Sequence, residues 1–142
     1  MLSKTSEYAL RAVLLLARHP RGQLVRASDL AAGLAVPANY LSKILHSLSR
    51  AGVLVSERGR HGGFRLARPA ERTALADVIG PFHEITPRSQ CLLGRSRCSD
   101  AQPCAAHGRW RDVYGPVNDF FHDTMVAELL DTSDEVAETW KP

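Results

Sequence analysis

The chain has 142 residues, 44% hydrophobic and 23% charged, which suits one domain or one domain with an appendage. No run of 18 or more apolar residues occurs, and Glu7 and Arg11 interrupt the N-terminal stretch, so neither a spanning helix nor a secretory leader is expected and the protein is placed in the cytoplasm. The net charge of +3 hides an asymmetry: residues 1–72 hold twelve Lys/Arg and four Asp/Glu, a net +8, whereas residues 73–142 hold six and eleven, a net −5. A basic half followed by an acidic half points the first towards a polyanion, although ordinary solvated surface can also carry such charge.

In chain order, Tyr8, Ala12, Leu15 and Leu16 repeat at the spacing of one helical face, predicting a helix from about Ser3 to His19 that Pro20-Arg21-Gly22 ends. Ser28 reads as the N-cap of a second helix with Leu30, Ala31 and Leu34 inward. Pro37 opens a third, to about Ala51, with Tyr40, Leu41, Ile44, Leu45 and Leu48 inward and Gly52 as its stop. The Ala35-Val36 turn is short enough for a helix-turn-helix, although Ala35 stands where such turns usually have glycine. Val53-Leu54-Val55 and Phe64-Arg65-Leu66 predict two strands around the loop Glu57-Arg58-Gly59-Arg60-His61-Gly62-Gly63. Together these make a winged helix-turn-helix over residues 1–72, within a mainly α fold.

Residues 73–142 read as a cysteine loop and dimerisation region. Pro69 and Ala70 form a connector, and Leu75, Val78, Ile79 and Phe82 fit a short helix; 85–107 shows no period, a length uncommon in a compact domain unless functional or tied down. Trp110, Val113, Tyr114, Val117, Phe120 and Phe121 then predict a long helix over about 108–130, starting late or bending at Gly115-Pro116. Its large residues need a covering surface, for which a two-fold related copy is the economical choice and burial within the monomer the alternative. The acidic tail from Asp131 is expected to be partly ordered at best.

With the third helix as recognition helix, its outward residues Ala38, Asn39, Ser42, Lys43 and His46 face base edges. Asn39 suits adenine, Ser42 either base, and Lys43 guanine or phosphate. Ser28 suits a phosphate at its helix N-terminus, and Arg58 and Arg60 on the wing suit the minor groove or phosphates. Ser28, Asn39, Ser42, Lys43, Arg58 and Arg60 are the candidate DNA contacts; against each stands the fact that polar helix faces are usually just wet.

All three cysteines fall within residues 91–104. Cys91, Cys98 and Cys104, with gaps of six and five residues, are followed by His107. A cytosolic cluster of soft ligands is more often metal-binding or redox-active than a disulfide framework. The gaps are wider than the usual zinc knuckle and fit a larger cluster better, but spacing leaves an iron–sulfur cluster, a Cys3His zinc site and plain or switching thiols all open. Arg95, Arg97 and Arg109 add positive charge nearby. His46, His61, His83 and His107 show no nucleophile–base spacing, and no P-loop-like glycine loop occurs, so an enzyme is not expected; an electron-transfer or cluster-carrier protein would leave the wing and the basic half unexplained.

Four segments, namely Ser6-Glu7-Tyr8-Ala9-Leu10-Arg11, the stretch through Leu48-Ser49-Arg50-Ala51-Gly52, the wing Arg58-Gly59-Arg60-His61-Gly62-Gly63-Phe64 and the cysteine segment, give the chain its resemblance to the Rrf2 family of bacterial transcription regulators. The resemblance implies a homodimer with a long dimerisation helix, bound to a palindromic operator and usually repressing. It also implies a [2Fe–2S] or [4Fe–4S] cluster on Cys91, Cys98 and Cys104 that senses cluster status, nitric oxide, iron or redox state. For the fourth ligand it offers His107, three residues after the last cysteine, or Glu7 from the partner subunit; His107 is preferred because it is local to the loop. Otherwise Glu7 serves as a first-turn helix-dipole residue.

Overall fold

The first helix, α1 (Lys4–Ala17), starts where its sequence can satisfy the free backbone donors. Ser3 Oγ accepts from the Ser6 amide at 3.1 Å, and Glu7 adds negative charge to the first turn. Ala9, Ala12, Val13 and Leu16 are buried on its inner face. The computed structural model describes residues 2–82, 91–93 and 99–130.

Helices α2 (Ala27–Leu34) and α3 (Ala38–Arg50) form the helix-turn-helix. Ser28 does not cap α2: Arg26 holds the cap position without a side-chain bond, and the exposed Ser28 lies one residue inside the helix, 3.4 Å from Asp29 Oδ1. The paired backbone at Val25 fixes the chain just ahead of Arg26, so the helix begins earlier than a local capping rule suggests. In the turn, Ala35 adopts φ 53° and ψ 42°, the left-handed conformation that normally selects glycine. Its amide reaches back to the carbonyls of Ala31 and Ala32, and buried Val36 follows. After α3, Gly52 (φ 76°) accommodates the stop, where the Val53 amide bonds to Leu48 O at 3.0 Å.

Strands β1 (Leu54–Glu57) and β2 (Gly63–Leu66) pair antiparallel, Leu54 opposite Leu66 and Glu57 opposite Gly63; β1 begins and ends later than the apolar run Val53–Val55. Val25 joins this hairpin by an isolated bridge to Phe64, with Val25 N to Phe64 O at 3.0 Å and Phe64 N to Val25 O at 2.8 Å. The glycine pair of the wing follows from this crowding. A Cβ on Gly62 would collide with the Glu57 carbonyl oxygen, and one on Gly63 would sit 2.5 Å from the Val25 carbonyl oxygen.

A 3-10 turn at Ala70–Arg72 leads into α4 (Leu75–Ile79). The helix stops short of Phe82, where Gly80-Pro81 breaks the pattern. Helix α5 runs from His107 to Asp123 and carries Pro116 inside it, so it starts about where the apolar spacing placed it and the proline does not delay it. It ends earlier than Leu130. Thr124 and Met125 turn extended, and Ala74–Met125 forms a bridge with Leu75 N to Thr124 O at 3.0 Å and Val126 N to Thr73 O at 2.9 Å. A 3-10 turn, Val126–Leu129, follows. Fully buried Leu30, Leu41, Leu45, Leu48, Val78 and Ile79 lie in one apolar core, which Phe121 and Val126 also enter. The acidic tail from Asp131 and residues 85–90 and 94–98 of the aperiodic stretch lie outside the described residues.

Candidate functional site

The inward positions of α3, Leu41, Ile44, Leu45 and Leu48, are consumed by the core. That leaves Asn39, Lys43, His46 and Arg50, at i, i+4, i+7 and i+11, as one exposed face. Ser42 borders it, half-buried. Asn39 Oδ1 accepts from the Tyr40 amide at 2.8 Å, which occupies one of the two groups a bidentate base contact would use.

The wing lies across from this face. Lys43, His46, Ser47 and Arg50 of α3, with Ser56 and Arg58, line a cleft of about 680 Å³. The His46 ring meets Phe64 of β2 edge-on, centroids 5.3 Å apart at 73°. Two expected contacts, Lys43 and Arg58, therefore come together in one cleft; Asn39 and Ser42 lie on α3 outside its lining, and exposed Ser28 and Arg60 do not line it either. Arg60 is tied in by its backbone, because Arg26 Nη2 donates to its carbonyl at 2.7 Å. Arg26 as a brace left no local sequence signal; Arg50 did, since it extends the i, i+4, i+7 series.

Tyr40, placed inward by helical spacing, is instead 36% exposed. Its hydroxyl lies 2.8 Å from Thr5 Oγ1 and its ring meets Tyr8 edge-on at 6.0 Å, so it fastens α3 to the start of α1 at the surface.

In the cysteine segment, Cys91 and Cys104 are half-buried thiols outside any disulfide, and Cys98 lies outside the described residues. His107 is 9% exposed in the first turn of α5, and its amide donates to the Cys104 carbonyl at 3.0 Å. His107 Nε2 is 2.8 Å from Asp100 Oδ1, which Arg111 Nη1 also reaches at 2.7 Å. The His107 hydrogen bond, then the Arg111 charge, hold the Asp100 carboxyl below its ordinary range. Asp100 and Arg111 were not foreseen: no spacing rule links a loop carboxylate to a helix seven residues on, although His107 and Arg111 do stand at i, i+4.

Glu7 sits on α1 with Lys4 Nζ at 3.0 Å. The Lys4 hydrogen bond, aided by the charges of Lys4 and Arg11, keeps its carboxyl below the usual value. The donor chemistry suits a soft metal centre, with two thiols outside any disulfide and a histidine whose backbone amide bonds the Cys104 carbonyl. Among the described residues, no three such donors converge on one point. Nor, among them, is any helix long and apolar enough to cross a membrane.

The model of the Rrf2 family, described as an iron-dependent transcriptional regulator, matches residues 2–132. A protein of Aquifex aeolicus described as a helix-turn-helix-type transcriptional regulator is 32% identical, over 95% of this chain and 94% of its own. The helix-turn-helix-type transcriptional regulator IscR of Vibrio parahaemolyticus is 31% identical, over 96% of this chain and 80% of its own. In fold, the chain is similar to CymR, the global cysteine regulator of B. subtilis, at TM-score 0.79 with 20% identity over 94% of this chain and 98% of that one. It is also similar to T. potens IscR, at TM-score 0.72 with 21% identity over 95% and 89%. This chain belongs to the Rrf2 family and is a winged-helix, DNA-binding transcriptional regulator rather than an enzyme.

Proposed function

We propose that the protein is a cytoplasmic homodimeric repressor whose operator affinity is set by an iron–sulfur cluster on Cys91, Cys98, Cys104 and His107. Residues 1–72 form the reading head, and residues 73–142 carry the cysteine loop and the dimer helix. The observation that carries this reading is the position of Cys104, a half-buried thiol outside any disulfide, at the N-terminal end of α5, where the His107 amide bonds its carbonyl; Cys91 is a second such thiol. When bound, the cluster supplies thiolate crosslinks that oxidants, nitric oxide or iron shortage can remove. The residues of the chain do the rest. His107 holds Asp100, Asp100 holds Arg111, and the end of the cysteine loop is thereby fixed to α5. His107 is taken over Glu7 as the fourth ligand because it is local to the cysteine segment, three residues after Cys104.

On DNA, Asn39 and Ser42 read base edges, Lys43 takes guanine or a phosphate, Arg58 and Arg60 enter the minor groove or clamp phosphates, and Ser28 meets a phosphate at the start of α2. Val113 and Phe120, 63% and 52% exposed on one side of α5, are covered by a second copy. The two-fold axis then matches a palindromic operator.

Anaerobic purification with visible absorption, iron and sulfide analysis tests the cluster. A brown protein is expected, and Cys98→Ala should abolish the colour and change operator affinity. Colourless, zinc-loaded protein overturns the cluster reading. A zinc site or dithiol switch on the same residues is the second reading; the bond that already engages His107 with Asp100 favours the dithiol switch, which needs no histidine ligand.

A further inference from the structure

The cleft between α3 and the wing collects cations from two elements. Lys43 and Arg50 come from α3 and Arg58 from the wing, and no described residue lining the cleft is acidic. Glu57, the carboxylate of β1, lies 3.6 Å from Arg65 of β2 and does not line it. Ser47 and Ser56 add hydroxyls, and β2 offers His46 only the Phe64 ring. Such a cleft is completed by an anion, and the anion on a DNA surface is the backbone phosphate. His46 lies among these cations, exposed and on the face of α3 shared with Asn39 and Lys43. A neutral imidazole has one N–H to give; an imidazolium has two and a charge.

We propose that this cleft is a phosphate clamp for DNA in which His46 binds as the imidazolium, so that DNA binding takes up a proton. Among the described residues, His46 has an aromatic neighbour but no anionic one, and the phosphate supplies that partner. The charged form is thus favoured in the complex over the free protein. By linkage, affinity is highest at acid pH and falls as pH rises through the imidazole range. The proposal rests on α3 and the wing being the surface that meets DNA, and its test separates the two ideas.

Phosphate contacts do not depend on sequence, so the probe is a fluorescein-labelled mixed-sequence duplex, followed by anisotropy against pH and salt with the full-length protein. Wild-type affinity is expected to fall by about tenfold between about pH 6 and pH 8, one pKa unit of coupling. His46→Gln should be flat in pH at the weak, high-pH level of wild type. His46→Arg, permanently charged, should be flat at the tight level. Lys43→Ala and Arg58→Ala should each lower the slope of log affinity against log salt by about one. If those two variants keep the wild-type slope, the surface assignment fails. If they lose it while His46→Gln and His46→Arg still follow the wild-type pH curve, the surface stands and the role of His46 is overturned. Circular dichroism confirms folding, and binding by His46→Arg guards against reading a structural loss as a lost contact.

Discussion

From α1 to α4 the chain closes a core upon itself, whereas from α5 onwards it lends side chains to that core and leaves apolar surface outside. Among the described residues, the buried apolar set beyond Ile79 consists of Phe121 and Val126. In the same region Val113 and Phe120 stand more than half exposed, as do Leu92 and Leu93 next to Cys91. The stability of the reading head is therefore a property of one chain. Under the proposed reading, the surroundings of α5 are completed by a second copy and by the centre that the cysteines hold. An element that must respond to a signal is suited to the second condition.

That contrast can be broken or sharpened by substitution. Leu45→Ala, at a fully buried position of α3, should cost about 2–5 kcal/mol in denaturant unfolding. Phe120→Ala should stay within about 0.5 kcal/mol in the isolated chain, yet raise the dimer dissociation constant in sedimentation; equal losses at both sites would erase the difference. Gly63→Ala, which drives a Cβ against Val25 O, should cost more than about 1 kcal/mol. Asn118 of α5 is 8% exposed, and among the described residues nothing bonds its Oδ1. Asn118→Leu should therefore stabilise the chain by about 1 kcal/mol, measured by thermal unfolding; a loss would show that a partner uses that oxygen. The smallest effect is expected at Ala35→Gly, a gain of about 0.5 kcal/mol from relief of the left-handed alanine, with a rise in Tm as the readout.

The reading head was legible because its signals are local. The apolar spacing of α1 and α3, the Gly52 stop and Gly62, crowded by Glu57 in the same hairpin, each act within a few residues. The misplacements come from distant forces. Strand-like pairing of Val25 with Phe64 sets where α2 starts, and docking on α1 draws Tyr40 to the surface. Pairing with Thr73 and Leu75 ends α5 at Asp123. In the cysteine segment, the residue types announced the chemistry, but the Asp100–His107–Arg111 contact joins a loop to a helix, and no periodicity encodes it.

The bridge between Ala74 and Met125 has a mechanical consequence. It anchors the C-terminal end of α5 to the segment that opens α4 through two backbone hydrogen bonds, and the buried Val126 enters the core shared with α1 to α3. The helix, 17 residues long and so about 25 Å from end to end, has His107 at its far end, three residues after Cys104. Under the proposed cluster reading it is a cantilever, clamped at its root beside α4 and loaded at its tip by the centre that the cysteines hold. A lateral push at the tip arrives at the root chiefly as torque, and the root is where the helix meets the domain that reads DNA.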